Sequence, residues 1–446
     1  LLNFTHDDSK KYTTMKKLIL SLLLITSSIF VNGQENSWSL QKCFDTAMQN
    51  SIDIKVKQLE VTKAQKLYTH PLLELFPSVS LNGNHSYNFG STIDPTTNNR
   101  VSSDIQWDNF FLNANINILD FNNLATARKN KIEIEMAKAD KSVIEYEYKL
   151  QLLEKYFDAL FSQELLKIQK EQLKNSTFNL NRIEKEVEIG NKPQSDLYDI
   201  QLSFSQDEKR LLEAEQLFET QKLQLFQLMN FKVENLDDIV LETYLANETE
   251  VVSNEIKNPK LQFAELAYKV SKTDISIQRS VNRPTLSAFY QLSSFYSSPI
   301  NQPNTDIAGF RTQLDENKNQ QVGLQMSIPI FTGFRNSKRI KASKIESEKT
   351  KLISEQEKIK IEQQIELENT RKKQYVKLSN NLKNTLKYAQ ESFKTTQSKF
   401  TSGKVDAVGY NSVKNQLLSS EYDFLKNNLL MQYASLKINL IQKNEL

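Results

Sequence analysis

Two long stretches without glycine or proline limit the folds that this chain can adopt more than any other feature of its sequence. Neither residue occurs at positions 96–189 or 334–402. Both stretches are rich in lysine, glutamate, glutamine, leucine and isoleucine, which the α-helix tolerates well. The pattern predicts long helices at about 122–189 and about 334–402, and the first would be ~100 Å long at 1.5 Å per residue. Helices of this length indicate coiled-coil-like rods.

Apolar residues in the second of these helices recur every seven positions. They form two triplets: Ile345, Leu352 and Ile359, then Leu386, Phe393 and Phe400. The remaining positions are mostly lysine, glutamate, glutamine and asparagine. A narrow apolar seam of this kind predicts a helix that packs sideways in a wall of helices, with water on its other faces.

Four shorter segments alternate between apolar and polar residues, which is the period of a β-strand with one apolar face. They lie at about 77–91, 105–119, 284–296 and 320–331. Alternation alone fits two structures: an ordinary antiparallel sheet that covers a core, or a sheet whose apolar face meets lipid. The chain offers little other core for such a sheet to cover.

Aromatic residues near the ends of these segments favour the membrane. They are Tyr87, Phe89, Trp107, Phe110, Phe111, Phe295 and Tyr296. Aromatic side chains at strand ends are typical of a membrane interface. The polar segments 90–104 and 297–318 are then expected to be loops on the outer side.

The N-terminal segment predicts export from the cytoplasm. Residues 15–33 combine Lys16 and Lys17, an apolar run and a small-residue cleavage site before Gln34, which is the pattern of a signal peptide. Residues 1–14 are expected to be an upstream extension.

Four strands are too few to close a barrel, so the strands of several chains have to combine. Eight strands, from two chains, would give a barrel filled by side chains. Twelve strands, from three chains, would leave an open lumen for the polar inner faces. The pattern therefore favours a homotrimer.

The chain repeats its own plan, which indicates a tandem duplication. The segment that begins at Pro77 matches the one that begins at Pro284, and Gly190 matches Gly403. We expect two repeats, 35–231 and 259–446, joined by a linker at 232–258. The predicted fold is mainly α with a transmembrane β-barrel portion, and each repeat reads helix, strand, strand, long helix, helix.

Short motifs in this order resemble the TolC family of outer-membrane efflux proteins over nearly all of residues 37–443. The motifs are Phe76-Pro77, Ile330-Phe331-Thr332-Gly333, Glu188-Ile189-Gly190, Ser195-Asp196-Leu197, Ser402-Gly403-Lys404-Val405 and Lys414-Asn415-Gln416-Leu417-Leu418. One departure is Asp120-Phe121-Asn122, where the family usually has glycine after the aspartate.

The resemblance implies an outer-membrane channel of a tripartite efflux or secretion system, which serves as a passive exit duct. It implies a homotrimer with a twelve-stranded barrel on an α-helical tunnel, in the outer membrane of a Gram-negative bacterium. It also implies two partners, a periplasmic adaptor and an inner-membrane pump, and helices that extend into the periplasm.

The two helix-to-helix turns are the candidate adaptor-docking tip implied by the resemblance. They comprise Ile189, Gly190, Asn191, Ser402, Gly403 and Lys404. A purely structural role for these turns is the alternative, because glycine permits a tight reversal after a helix.

Three aspartates close to these turns are candidates for an entrance ring: Asp196, Asp199 and Asp406. In a trimer each would appear three times, and such a ring could favour cations or brace a gate through Lys192 or Lys404. Solvated carboxylates at helix starts are the alternative.

Residue types for catalysis or cofactor binding are sparse, so no enzyme activity, cofactor or metal is predicted. Beyond residue 33 the histidines are His70 and His85, the one cysteine is Cys43, and no phosphate-binding glycine motif occurs. The 57 basic and 54 acidic residues nearly balance, which predicts no polyanionic partner. The competing interpretations are a periplasmic adaptor and a structural coiled-coil protein of the envelope.

Overall fold

The computed structural model describes residues 36–93, 98–102, 104–232, 236, 239–243, 255–300 and 308–445. The expected extension and signal peptide lie outside these residues. The chain forms two compact units. Unit 1 contains the described residues within 1–51, 147–254 and 365–446, and unit 2 those within 52–146 and 255–364.

Helices account for most of the described chain. They are α1 (Leu40–Asn50), α2 (Ile52–Leu67), α3 (Phe121–Glu188), α4 (Gln194–Leu228), α5 (Pro259–Ser280), α6 (Phe310–Glu316), α7 (Arg335–Thr401) and α8 (Ala407–Lys443). The strands are β1 (Asn36–Trp38), β2 (Ser78–Asn88), β3 (Ser91–Ile93), β4 (Arg100–Ser102), β5 (Ile105–Leu119), β6 (Ile239–Leu241), β7 (Thr285–Pro299) and β8 (Asn319–Ser327). The helices α3 and α7 contain 68 and 67 residues, so the two long helices predicted from the sequence are present.

Unit 2 contains the four predicted strands in one antiparallel sheet of order β2-β5-β7-β8. Their register aligns residues of similar polarity in rows across the sheet. One row is Val79, Ala114, Tyr290 and Val322, and the next is Ser80, Asn113, Gln291 and Gln321. Because successive side chains point to opposite faces, the sheet has one apolar and one polar face.

The two segments expected to be polar loops contain more structure than the sequence predicted. The first contains the pair β3 and β4, with 94–97 and 103 outside the described residues. In the second, β7 continues to Pro299 and α6 follows, with 301–307 outside the described residues. Beyond the point where β8 stops pairing, the Gln313 amide bonds to the backbone N–H and C=O of Ser297, each at 3.0 Å. At Ser297 the Gln313 side chain therefore occupies the position where a further residue of β8 would pair with β7, and it covers that part of the sheet edge.

The helices of unit 2 are joined by polar contacts. Lys57 on α2 pairs with Asp140 on α3 at 2.8 Å, and Lys129 on α3 pairs with Asp274 on α5 at 2.9 Å. The α5–α7 seam contains Ser271, whose Oγ lies 3.2 Å from that of Ser347 and 2.7 Å from Thr350 Oγ1. The predicted seam residues Ile345, Leu352 and Ile359 are instead exposed, Ile345 by 71%. The buried residues of α7 in this unit are Asn336, Ser347 and Ile361.

Unit 1 is built around a core that joins both ends of the described chain. Trp38, Phe44, Tyr156, Phe226 and Leu440 are members of this core, which is formed by α1, α3, α4, α8 and the β1–β6 pair. No helix among the described residues is both long and apolar enough to cross a membrane.

The parallel pair of β1 and β6 was not predicted from the sequence. Trp38 lies opposite Leu241, within the segment 232–258 that was expected only to link the repeats. The Tyr156 hydroxyl lies 3.0 Å from the carbonyl oxygen of Trp38 and 2.7 Å from that of Glu242. Gln163 bonds the N–H and C=O of Leu241, at 2.8 and 2.9 Å. These bonds fix both short strands to α3.

Candidate functional site

The long helix α3 ends in a glycine turn. Gly190 has a φ of +75°, the left-handed region that favours glycine. The Asn191 N–H donates to the Glu186 carbonyl at 2.8 Å, and the Gly190 N–H donates to that of Val187 at 2.9 Å. This is the Schellman motif, in which a glycine after the last helical residue reverses the chain.

The helix α7 ends in the same way. Gly403 has a φ of +73°, its N–H donates to the Phe400 carbonyl at 3.2 Å, and the Lys404 N–H donates to that of Lys399 at 2.9 Å. The repeated motif explains why glycine recurs at both turns.

The structure brings the two turns together at one end of unit 1. Behind them lies a cluster of buried residues from α3, α4, α7 and α8: Ile183, Ile200, Phe400, Ala407 and Tyr410. Phe400 stacks on Tyr410 with 4.5 Å between ring centroids, and Lys192 from the first turn lies 5.3 Å from the Phe400 ring. We call this end of unit 1, with its two turns, the tip.

All six tip residues predicted from the sequence are exposed. Ile189 is the largest apolar side chain among them and is 77% exposed. An exposed apolar residue beside polar turn residues is a suitable contact point for a protein partner.

The three predicted ring aspartates have different surroundings. Asp196 forms an ion pair with Lys192 at 3.0 Å, and Asp406 caps α8 by accepting the Gly409 N–H at 2.8 Å. Asp199 is half-buried and forms no ion pair with another described residue. Two of the three carboxylates therefore already have a local structural role.

Tyr410 supports the tip from inside. Its hydroxyl accepts a hydrogen bond from Asn179 Nδ2 at 2.7 Å. Burial raises its pKa to about 12, although the Asn179 bond and the Arg182 charge act in the opposite direction. The phenol therefore stays neutral at physiological pH.

A buried ion pair lies deeper between α3, α4 and α8. Asp207 bonds to Lys414, whose ammonium also donates to Ser176 at 3.0 Å and to Ser203 at 3.2 Å. Arg210 reaches the second Asp207 oxygen at 3.3 Å. This pair was not predicted from the sequence, although Asp207 lies seven residues from both Ile200 and Ala214 and so occupies a core position of the heptad pattern.

Within the described ranges, no group of three or more histidine, cysteine, aspartate or glutamate side chains could hold a metal ion. The tip therefore combines an exposed surface with a buried hydrophobic cluster and buried hydrogen bonds.

A family model described as "Outer membrane efflux protein" matches this chain at residues 44–230 and 253–441. A search of curated proteins gave no match.

Several solved structures share the fold. The outer membrane protein VceC of Vibrio cholerae is 13% identical with a TM-score of 0.74, and the match covers 90% of this chain and 95% of that one. The CmeC outer membrane channel of Campylobacter jejuni is 15% identical with a TM-score of 0.73, covering 90% and 84%. The MtrE outer membrane channel of Neisseria gonorrhoeae is 16% identical with a TM-score of 0.68, covering 90% and 88%.

Proposed function

Because this chain belongs to the outer membrane efflux protein family, we propose that three copies of it form one passive exit duct. The protein is an outer-membrane channel for efflux, and its family and fold are those of channels that carry out no chemistry. The energy for transport then has to come from a partner.

The main support for the proposed trimer is the four-stranded sheet of unit 2. Its outer strands, β2 and β8, each lack one neighbour among the described strands. Its apolar and polar rows lie on opposite faces, as lipid on one side and water on the other require. Three copies would supply twelve strands, close the open edges, and leave a lumen lined by the polar face.

The two segments matched by the family model support the proposal of two repeats, 35–231 and 259–446, with 232–258 between them. Each repeat contributes two strands to the four-stranded sheet, together with one long helix and one shorter helix that follows a glycine turn. Six glycine turns would therefore surround the axis of a trimer.

The tip is proposed to dock a periplasmic adaptor that connects the channel to an inner-membrane pump. Exposure of all six residues, Ile189, Gly190, Asn191, Ser402, Gly403 and Lys404, supports this role. The protein would then lie in the outer membrane of a Gram-negative bacterium, with its helices in the periplasm.

Asp196, Asp199 and Asp406 are proposed to surround the entrance beside the tip. Since Lys192 neutralises Asp196 and Asp406 caps α8, Asp199 would supply the largest uncompensated negative charge. Such a ring would favour cations over anions at the entrance.

Purified protein in detergent provides the first test. We expect a trimer by native mass spectrometry, retention in outer membranes during carbonate extraction, and steady conductance in planar bilayers. A monomer that leaves the membrane in carbonate would contradict the channel and favour an adaptor. A membrane-free rod without conductance would favour a structural protein.

A cysteine at Asn191, in a Cys43→Ser background, tests the docking tip by crosslinking in cells. Lys170→Cys is the matched control, because Lys170 is exposed on α3 outside the tip. Recovery of a periplasmic protein from the tip cysteine alone is expected. Equal recovery from both positions would contradict the assignment.

A further inference from the structure

The helix ends that adjoin the sheet of unit 2 are strongly basic. The eleven residues nearest the sheet are 57–67 in α2, 121–131 in α3, 270–280 in α5 and 335–345 in α7. They contain three, three, two and five basic residues, respectively, and only two acidic residues in all. The net charge of the whole chain is only +3. Positive charge is therefore concentrated in these four segments, which we call the basic layer.

The four helix ends adjoin the same end of the sheet. Ser78 at the start of β2 pairs with Asn115 near the end of β5, and Thr285 at the start of β7 pairs with Ser327 at the end of β8. The end of β5 pairs in turn with the start of β7, where Leu119 lies opposite Leu286. The basic layer is therefore one continuous feature of unit 2.

The two acidic residues of the basic layer are already paired. Glu60 forms an ion pair with Lys57 at 2.9 Å, and Asp274 forms one with Lys129, also at 2.9 Å. The other cations of the layer have no counter-charge within these segments. They are available to an anionic partner.

Three of these cations surround a groove between α3 and α5. The groove has a volume of about 490 Å³, and its polar lining residues are Arg128, Lys131, Lys272, Thr273 and Ser276. No acidic residue lines it, and none of the three cations forms an ion pair with any described residue. A phosphate group is a suitable ligand for such a set, because guanidinium, ammonium and hydroxyl groups all donate hydrogen bonds to its oxygens.

The groove lies a short distance from the sheet. Arg128 and Lys131 follow the first residue of α3 by seven and ten positions, which corresponds to ~10 and ~15 Å along the helix axis. Lys272 precedes the last residue of α5 by eight positions, or ~12 Å. Side chains of an α-helix tilt toward its N-terminus, which in α3 is the end at the sheet. The two long α3 side chains therefore extend back toward the sheet.

Apolar residues are exposed where the helices meet the sheet. They are Leu124, Val281, Ile328, Ile330, Phe331 and Phe334, and Ile330 is 95% exposed. From the sheet toward the helices, the surface thus changes from the apolar sheet face to apolar junctions and then to the basic layer. A bilayer presents hydrocarbon followed by charged headgroups in the same order.

From this arrangement we infer that the basic layer binds the phosphate groups of anionic phospholipids, and that the groove between α3 and α5 holds one such headgroup. The lipids belong to the leaflet on the helix side of the sheet. Basic residues close to a membrane surface attract anionic lipids, and long basic side chains reach headgroups while their stems remain on apolar surface. The inference rests on the proposed function, because it requires the sheet to lie in a membrane.

One face of α3 favours lipid over a water-filled lumen as the surroundings of these cations. Leu124, Arg128 and Lys131 are all exposed, and they lie within about 60° of one another around the helix at 3.6 residues per turn. The leucine is nearest the sheet and the two cations are further away. A face exposed only to water would gain nothing from the leucine, whereas an acyl chain above a headgroup matches both residue types.

Lipid retention by the full-length trimer tests the inference. Native mass spectrometry, after incubation in detergent with phosphatidylglycerol or phosphatidylcholine, counts the lipids that remain bound. The wild type should retain phosphatidylglycerol in preference to phosphatidylcholine. The triple variant Arg128→Gln, Lys131→Gln and Lys272→Gln should weaken the tightest phosphatidylglycerol binding by about tenfold or more.

Two further variants separate charge from a change of fold. Lys170→Gln, Lys174→Gln and Lys185→Gln is the matched control, because it removes the same charge from exposed positions of α3 far from the sheet. It should leave lipid retention unchanged. The charge-conserving triple variant Arg128→Lys, Lys131→Arg and Lys272→Arg should retain most of the wild-type binding.

Two additional measurements test the identity and the place of the ligand. Inorganic phosphate at millimolar concentration should not displace the bound phosphatidylglycerol, and displacement would overturn the assignment of a lipid. The reversal potential in a KCl gradient across a planar bilayer should be the same for the wild type and the glutamine variant. A changed reversal potential with unchanged lipid retention would place the cations in the lumen and overturn the inference.

The remaining outcomes separate this inference from the proposed function. A wild-type trimer with normal conductance that retains both lipids equally would overturn the inference and leave the channel intact. A wild-type protein that is monomeric and leaves the membrane in carbonate would instead refute the proposed function.

Discussion

Asp207 and Lys414 form an ion pair inside unit 1 although 207 positions separate them in the chain. Their side chains are 1% and 2% exposed. Ser176, Ser203 and Arg210 bond to the pair, so three helices are tied together at one point. Buried charges of this kind need partners at every polar atom, because their removal from water is costly.

Lys414→Met should destabilise the protein by about 3–5 kcal/mol, because it leaves the Asp207 carboxylate buried without its main partner. Thermal loss of helical circular dichroism measures the effect. Lys209→Met, on an exposed position of α4, is the control. The double variant Asp207→Leu and Lys414→Met should recover much of the loss, and a Lys414→Met protein as stable as the wild type would refute the role of the pair.

Gly190→Ala and Gly403→Ala should each lower the free energy of unfolding by about 1–2 kcal/mol, because an L side chain is strained in the left-handed region. Nothing lies within 4 Å of a Cβ at either position, so backbone strain is the only cost. Asparagine tolerates this conformation better, so Gly190→Asn and Gly403→Asn should lose less stability. Equal losses for alanine and asparagine in thermal unfolding would contradict this explanation.

Glu421→Gln should stabilise the protein at pH 7. Burial raises the pKa of Glu421 above its ordinary value of 4.5, so the folded state disfavours the ionised form. The folded state then binds more protons, and this residue's contribution to stability falls as pH rises from 4.5 through the raised pKa.

Below pH 4.5 the glutamate is protonated in both states, and the advantage of glutamine should disappear. Thermal midpoints at pH 7.5 and pH 4.0 measure the difference, with Glu171→Gln on the exposed side of α3 as the control. An advantage that persists unchanged at pH 4.0 would rule out this ionisation as the cause.

Tyr156→Phe should cost about 0.5–1.5 kcal/mol, because the hydrogen bonding of its hydroxyl to the carbonyl oxygens of Trp38 and Glu242 is lost. The effect should be local, since that hydroxyl contacts Trp38 on β1 and Glu242 after β6. Hydrogen exchange should accelerate at 36–38 and 239–242 and remain slow in the tip. Tyr388→Phe, an exposed tyrosine, should change neither region.

The features that could be predicted from the sequence are those with a long, regular period. Alternation over nine or more residues identified β2, β5, β7 and β8, and the absence of glycine and proline identified α3 and α7. The fold class was confirmed for this reason. The strands β1 and β6 have three residues each, too few to show alternation, and they are held by Tyr156 and Gln163 from a distant helix.

The heptad pattern of α7 indicates which residues pack against another helix, but it does not show which helix that is. Phe400 packs on Tyr410 of the same chain, whereas Ile345, Leu352 and Ile359 remain exposed. A single sequence cannot distinguish these cases, because apolar spacing is the same for contacts within a chain and between chains. The docking and ring roles of the predicted residues remain predictions, although the structure adds that Asp196 and Asp406 already have local partners.

The core of unit 1 has a consequence for how the protein is made. Trp38 near the start of the described chain and Leu440 near its end belong to one cluster, and β1 finds its partner only at residue 239. At 5–20 residues per second, the ribosome needs about 10–40 seconds to supply that partner. Until then Trp38 and Phe44 lack part of the core that buries them in the folded unit. Since Leu440 belongs to the same core, this unit can be completed only after the last residues of α8 have been synthesised.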